Sequence, residues 1–375
     1  MRRYDIDALR VIVFGLLIFY HVGMFFVPWD YHIKNAVIYE WLELPMLFLN
    51  QWRLPLLFVI SGMGTYFNIS KRNGGGFAKE RFVRLFIPLV VGMLLIVPPQ
   101  IYFERLDAGQ FMGGYFDFWP SKSFVGGSYP EGNISWHHLW FLPYLLIFSL
   151  ILIPVFVYLR NHPQAWMIVK MKQLSASKFG LFMLAVPLII WEIVLKPVFP
   201  STHALLDDWY NFVNYLTLFF YGFLLMTFQD VLWVNISKNR RIYLITGIIT
   251  FVLLILIWVC IENSLFDPAL EKSISGMMRA INEWTWILAL IGYAATYLNK
   301  PSKSLKYANE AVYPFYILHQ TVIIALGYYL KNTEMYLTIK FLIMIIGTFG
   351  ISWLIYEFGI RRFAWIRPLF GMKRQ

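Results

Sequence analysis

Hydrophobic residues in this chain run on for about twenty positions at a time, and polar residues collect between the runs. Ten such segments can be drawn: 8–27, 44–67, 85–102, 139–158, 179–199, 212–228, 242–261, 278–298, 311–330 and 341–360. At a rise of about 1.5 Å per residue, a run of that length crosses about 30 Å of hydrocarbon as a helix. The apolar positions are continuous rather than alternating, so membrane strands are not expected. Five segments hold an internal proline (Pro55, Pro88, Pro143, Pro187, Pro314), which a membrane helix tolerates where its neighbours or a local distortion satisfy the freed backbone groups. The pattern predicts an all-α integral membrane protein, a polytopic bundle of about ten transmembrane helices forming a single domain over 1–375 with no separate soluble domain.

The distribution of Lys and Arg orients that bundle. Of the 32 basic residues, 22 fall in one alternating set of loops and 8 in the other, with Arg10 and Arg53 inside segments. The positive-inside rule then predicts cytoplasmic termini and an even number of crossings. Composition agrees: 59% of residues are hydrophobic and 14% charged, against about 45–50% and about 25% in soluble domains. The net charge of +11 follows from topology, and no basic run with interleaved polar residues points to nucleic acid. The first segment continues through Phe25, Phe26 and Val27 into Pro28 with no small-residue cleavage site, so it reads as a retained helix. A single cysteine, Cys260, excludes an intrachain disulfide and reads as a small buried hydrophobe. The longest outward loop, 103–138, carries Gly and Pro among aromatics and is expected to fold over the bundle.

Ionisable groups inside a bilayer are costly, which makes each one a functional candidate. Arg10 and His21 share the first segment, eleven residues apart, which brings them within about 20° of the same helix face and separates them by roughly 16 Å along the axis. An imidazole there can take a proton from a hydroxyl; the alternative is a histidine bonded to a neighbouring helix for packing alone. His319 in the ninth segment and Glu192 in the fifth are candidate partners of His21, although Glu192 lies four residues before Lys196 and can form a local pair instead. Arg53 is either intramembrane or an interfacial anchor, depending on where the second helix starts. Arg81 and Arg84 share one side of a helix at the cytoplasmic entrance to the third segment, where they can clamp phosphate or serve as topology anchors. The chain has no P-loop, dinucleotide-binding glycine pattern, HExxH or GxSxG motif. No metal is expected, since the adjacent His137 and His138 lack a third and fourth ligand.

These residues together resemble the integral membrane acyltransferase family 3, and within it the glucans biosynthesis protein C branch. The stretch from Arg3 to Arg10 followed by His21 is similar to the family's Arg-x10-His first helix. Phe58-Val59-Ile60-Ser61-Gly62 resembles its FVxSG signature, and Arg81 through Pro88 its RxxRLxxP motif. His138 to Leu142, Tyr316 to Gln320 and the stretch from Glu357 to Gly371 resemble further pieces of the branch, so the likeness spans the chain in order. It implies transfer of an acyl group, of acetyl or succinyl type, from cytoplasmic acyl-CoA to a hydroxyl of a glycan or other envelope acceptor at the outer face of a bacterial cytoplasmic membrane. His21 is then the base, Arg10 an electrostatic or structural partner, His319 a second polar group, and Arg81 with Arg84 the donor-binding pair. Part of the family carries a WSLxxE pattern in the fourth helix; here Leu145 stands where its acid would be, so no Glu-assisted step is expected there. Transfer can be direct or pass through an acyl-histidine.

Two other classes stay open on the sequence. A transporter of a small polar or acylated metabolite would also line its path with Arg10, His21 and His319, but no paired interrupted helices in matching halves mark an inverted repeat. A catalytically idle partner in a glycan-assembly complex would have no physical need for these intramembrane charges. Membrane lipid is the expected surrounding. The aromatics Tyr115, Phe116, Trp119 and Trp136 of the outer loop suit sugar stacking or an interfacial belt.

Overall fold

The computed structural model describes residues 2–262 and 268–374, without the side chains of 260–262 and 268–272; Cys260 therefore lies outside the described side chains. Every regular element among the described residues is helical, and one isolated bridge pairs Ser128 with Ile134. In chain order the principal helices are α1 (Tyr4–Met24), α2 (Glu43–Ile69), α3 (Gly74–Asp107), α4 (His137–Ile151), α5 (Ile153–Asn161), α6 (Trp166–Ala176), α7 (Gly180–Val194), α8 (Trp209–Thr227), α9 (Gln229–Glu262), α10 (Pro268–Tyr297), α11 (Lys303–Leu330) and α12 (Leu337–Ile360). All ten predicted segments fall on helices, and six described helices are long and apolar enough to cross a membrane. The count becomes seven if α4 and α5, bent by 50° at their junction, form one span. Pro154 at the start of α5 lacks the amide that would continue the α4 ladder, which accounts for the break.

Lipid exposure is written on the surface of these helices. Along α9, Ile245, Ile248, Ile249, Val252, Leu253, Leu256 and Val259 are all exposed, a stripe at helical spacing that water would penalise and hydrocarbon accepts.

The chain divides into two compact units. The first comprises 1–10, 48–79 and 147–305, and thus holds most of α2 and α5 to α10. Within it α9 and α10 pack along their lengths, and α2 crosses α8 at reciprocal glycines. A Cβ on Gly62 would stand 2.0 Å from the Phe219 carbonyl oxygen, and one on Gly222 2.0 Å from that of Val59. Gly62 of the FVxSG stretch thus serves backbone approach between helices.

The second unit comprises 11–47, 80–146 and 306–375. Its core joins α1, α11 and α12 through Ile18, Val22, Phe25, Ile323, Ile324 and Met344. Lys34 closes the C-terminal end of α1, donating to the carbonyls of Met24 at 2.7 Å and Trp29 at 2.9 Å, and to that of Val27; a cation at that end also meets the negative pole of the helix dipole. Three π-type turns interrupt the helices here, at Phe82–Phe86, Gly92–Ile96 and Ile355–Ile360. Helix α3 runs to Asp107, so the outer loop starts five residues later than the hydropathy implied. Arg105 ties that loop down, donating to Asn133 Oδ1 at 3.1 Å and to the carbonyls of Pro130 at 2.6 Å and Gly132 at 3.0 Å.

Candidate functional site

The polar centre of the second unit is built from α1, α3, α4 and α11. His21, three residues before the end of α1, places Nδ1 2.9 Å from Nε2 of His319. Nδ1 of His319 lies 2.6 Å from the carbonyl oxygen of Tyr316, one helical turn before it. That carbonyl only accepts, so His319 carries its proton on Nδ1 and its neutral Nε2 is an acceptor. His21 therefore donates from Nδ1, and its basic lone pair is on Nε2. His319 is fully buried, which holds both rings in register.

His138 packs its ring perpendicular to that of His319 at 5.1 Å. Its Nε2 donates to the Ile317 carbonyl at 3.0 Å, and its carbonyl accepts the Tyr316 hydroxyl at 2.6 Å. Gln100 of α3, also fully buried, donates to Thr321 Oγ1 at 2.8 Å and accepts from Gln320 at 3.2 Å. Gln320 reaches His32 at 3.1 Å, and His32 in turn bonds Glu104 at 2.6 Å. Tyr129 from the outer loop donates to Glu104 at 3.3 Å; burial, then the neighbouring carboxylate, push its hydroxyl up to about 12, so it remains a donor at neutral pH. Buried polar groups of this density are stable only when each is satisfied by another, which makes the network rigid.

The other candidates have described partners of their own. Arg10 belongs to the first unit, 3.7 Å from Asp7, and lines a cavity of about 450 Å³ with Arg2, Arg3 and Lys71. Glu192 belongs to the first unit and His21 to the second. The carboxylate of Glu192 binds Lys196 at 2.8 Å, Tyr210 at 2.7 Å and Arg279 at 3.2 Å, so the local-pair alternative describes it. Arg53 lies ten residues inside α2 and is 2% exposed; it is a buried cation and not an interfacial anchor. Arg81 and Arg84 do come together, but over an acid: Glu80 binds Arg81 at 3.1 Å and Arg84 at 3.3 Å. Arg84 also donates to the Gly371 carbonyl at 3.2 Å, and its own carbonyl accepts the Tyr313 hydroxyl at 2.9 Å. Leu145, at the position of the absent acid, is buried.

Several members of this network were not singled out by sequence reasoning. Gln100 and Glu104 lie in or beside an apolar run, and polar residues there are themselves a signal. Glu80 is four residues before Arg84, the spacing of a helical ion pair. His32 sits in a loop with no periodicity to mark it. Among the described residues, no group of three or more His, Cys, Asp or Glu side chains converges on a metal position.

A family profile described as an acyltransferase domain matches residues 3–357. Glucans biosynthesis protein C of Salmonella heidelberg (strain SL476) is 23% identical over 373 residues, covering 96% of this chain and 92% of the relative. The protein of the same name from Escherichia coli (strain K12) is 22% identical over 376 residues, with the same coverage. No solved structure matches the chain at a significant level.

Proposed function

The chain belongs to this acyltransferase family and is a membrane O-acyltransferase; from that premise we propose that it moves a small acyl group, of acetyl or succinyl type, from acyl-CoA to a hydroxyl of a glycan or related envelope acceptor. The observation that carries the reading is the pairing of His21 with His319 beneath the Tyr316 carbonyl. It leaves the basic lone pair of His21 on Nε2, the atom that the proposed reaction uses.

In the proposed reaction His21 Nε2 takes the hydroxyl proton as the acceptor oxygen attacks the thioester carbonyl. The C–S bond then breaks, the proton passes from His21 to the departing thiolate, and the products are the ester and free CoA. His319 accepts the Nδ1 proton bond of His21 throughout and steadies the imidazolium. Direct transfer is favoured over an acyl-histidine, because that intermediate would consume the lone pair that serves as base. Arg81 and Arg84 are the proposed donor-phosphate pair; a phosphate there shares them with Glu80, and so binds more weakly than to two guanidiniums without an acid between them. Arg10 contributes charge to the cavity it lines. The acceptor class rests on the relatives' printed name and on the aromatic outer loop.

We read the protein as a multi-pass component of a bacterial cytoplasmic membrane, with ten crossings and cytoplasmic termini, and as a single embedded domain. The chain passes from one packing unit to the other within α1, α2, α3, α4 and α11, which supports the single-domain reading.

The deciding experiment measures CoA release by purified wild-type and His21→Ala protein in nanodiscs, with acetyl-CoA and succinyl-CoA against a panel of hydroxyl-bearing glycans. The substitution is expected to lower turnover by about 10²–10⁴-fold, the usual worth of a positioned base. Undiminished transfer by His21→Ala would refute the mechanism.

A further inference from the structure

Within the second unit, α1, α11 and Phe349 of α12 line a half-open cavity of about 220 Å³ whose walls include Phe14, Gly15 and Ile18 of α1 and Val312, Phe315 and His319 of α11. It extends from His319 toward the N-terminal ends of both helices. Two tyrosines also face it, and both have committed their hydroxyls elsewhere: Tyr316 donates to the His138 carbonyl at 2.6 Å, and Tyr307 to Glu357 Oε2 at 2.8 Å. Both ring nitrogens of His319 are likewise bonded, to His21 and to the Tyr316 carbonyl. No Lys or Arg lines the cavity, so what it offers an occupant is hydrocarbon.

Gly15 supplies the second observation. A Cβ built there would meet no heavy atom within 4 Å, so no neighbouring backbone demands a glycine, in contrast to Gly62 and Gly222. Glycine inside a helix is less stable than alanine. At this position its effect is to keep the cavity open.

We propose that this cavity is the acyl-chain subsite of the transferase, taking a neutral, straight acyl group from acetyl up to about six carbons and rejecting one that ends in a carboxylate. The inference rests on the acyl-transfer reading given above, from which it takes the His21–His319 pair as the reacting centre. Apolar cavities of about 150 Å³ admit a six-carbon ring, so about 220 Å³ holds such a chain with space at its end. A succinyl carboxylate would lie against this apolar lining with no cation beside it, which is unfavourable. The pantetheine arm carries two amides that this lining cannot satisfy, so it follows a different route. A membrane lipid tail shares the alkyl chemistry, but the cavity ends on the histidine bonded to His21, and that continuity favours the transferred group as its occupant.

The test is calorimetric titration of the purified full-length protein with CoA and with acetyl-, butyryl-, hexanoyl- and succinyl-CoA. Affinity is expected to rise about fourfold per added methylene from acetyl to hexanoyl, with succinyl-CoA no tighter than free CoA. Gly15→Leu fills the cavity and should erase the advantage of hexanoyl over acetyl, a loss of about 10²-fold. Phe14→Ala enlarges the cavity and should move the preferred chain beyond six carbons, so the proposal stays testable if Gly15→Leu does not fold. A flat chain-length profile, succinyl-CoA binding tighter than butyryl-CoA, or variants that weaken every thioester equally would each overturn the subsite while CoA binding leaves the transferase reading standing. Variants that change only the lipid retained in native mass spectrometry would assign the cavity to a lipid tail instead. If neither CoA nor any thioester binds, the donor reading falls and this inference falls with it.

Discussion

At the scale of single residues, the chemistry turns on which nitrogen of each imidazole holds a proton. The Tyr316 carbonyl determines this for His319, and His319 determines it for His21. In the proposed mechanism His319 is a positioning residue that acts through His21, so its replacements should separate by hydrogen-bonding capacity rather than by size. His319→Leu removes the acceptor for the Nδ1 proton of His21 and is expected to lower kcat by about 10²-fold or more with little change in KM. His319→Gln, which can present a carbonyl oxygen in its place, should recover a substantial part of that loss. Steady-state kinetics of the two variants, with the pH profile of kcat, check the assignment; equal loss in both would point to a packing role alone. At the proposed donor pair the electrostatics run the other way. Glu80 sits between Arg81 and Arg84, and Glu80→Gln removes the negative charge that competes with phosphate for both guanidiniums. CoA affinity is expected to rise several-fold in that variant, most at low ionic strength.

At the scale of elements, two glycine positions of similar appearance in the sequence have opposite physical meaning. Gly222 of α8 has the Val59 carbonyl where its Cβ would go, whereas Gly350 of α12 has open space. Gly222→Val must push α2 and α8 apart and is expected to cost about 1–3 kcal/mol or more, seen as a lower midpoint in thermal unfolding in detergent. Gly350→Ala should hold or raise that midpoint, since it restricts the unfolded chain without a clash. The outer loop depends on one side chain in a comparable way. Arg105 makes three described bonds to residues 130–133, so Arg105→Gln should release the loop and speed tryptic cleavage after Lys122, with no such change at cytoplasmic sites. Helix α4 illustrates a limit of hydropathy. The run 139–158 reads as one uninterrupted span, yet the chain bends by 50° between Ile151 and Ile153, because one proline removes an amide from the middle of an otherwise adequate apolar run.

For the whole molecule, the basic residues of alternate loops and the apolar stripe of α9, with exposed Ile339, Leu342, Ile343 and Ile346 on α12, describe a chain surrounded by lipid. The proposed orientation predicts that a fluorescent protein fused after Gln375 is bright, since it would mature in the cytoplasm, and that an alkaline phosphatase fusion at the same point is inactive. The reverse pair of results would invert the topology and exchange the donor and acceptor faces.

What the sequence determined by itself is everything carried by local pattern. Continuous apolar runs require helices because hydrocarbon leaves backbone groups no other partner. An imidazole or guanidinium within such a run marks a functional candidate because its burial is expensive, and the ordered motifs from Arg3 to Gly371 were enough to indicate the acyltransferase family. What only the tertiary structure decided is everything that depends on which helices meet. His21 and His319 are 298 residues apart, and no periodicity relates them. Glu192 was a candidate on sequence with a local pair to Lys196 as its alternative, and packing adds Tyr210 and Arg279 to that pair. Whether a glycine is a contact point or an open space, whether two arginines confront a phosphate or a glutamate, and how much room lies beside the histidines depend on distances between segments. A sequence read one segment at a time does not contain those distances, because they are set by side-chain packing across the fold.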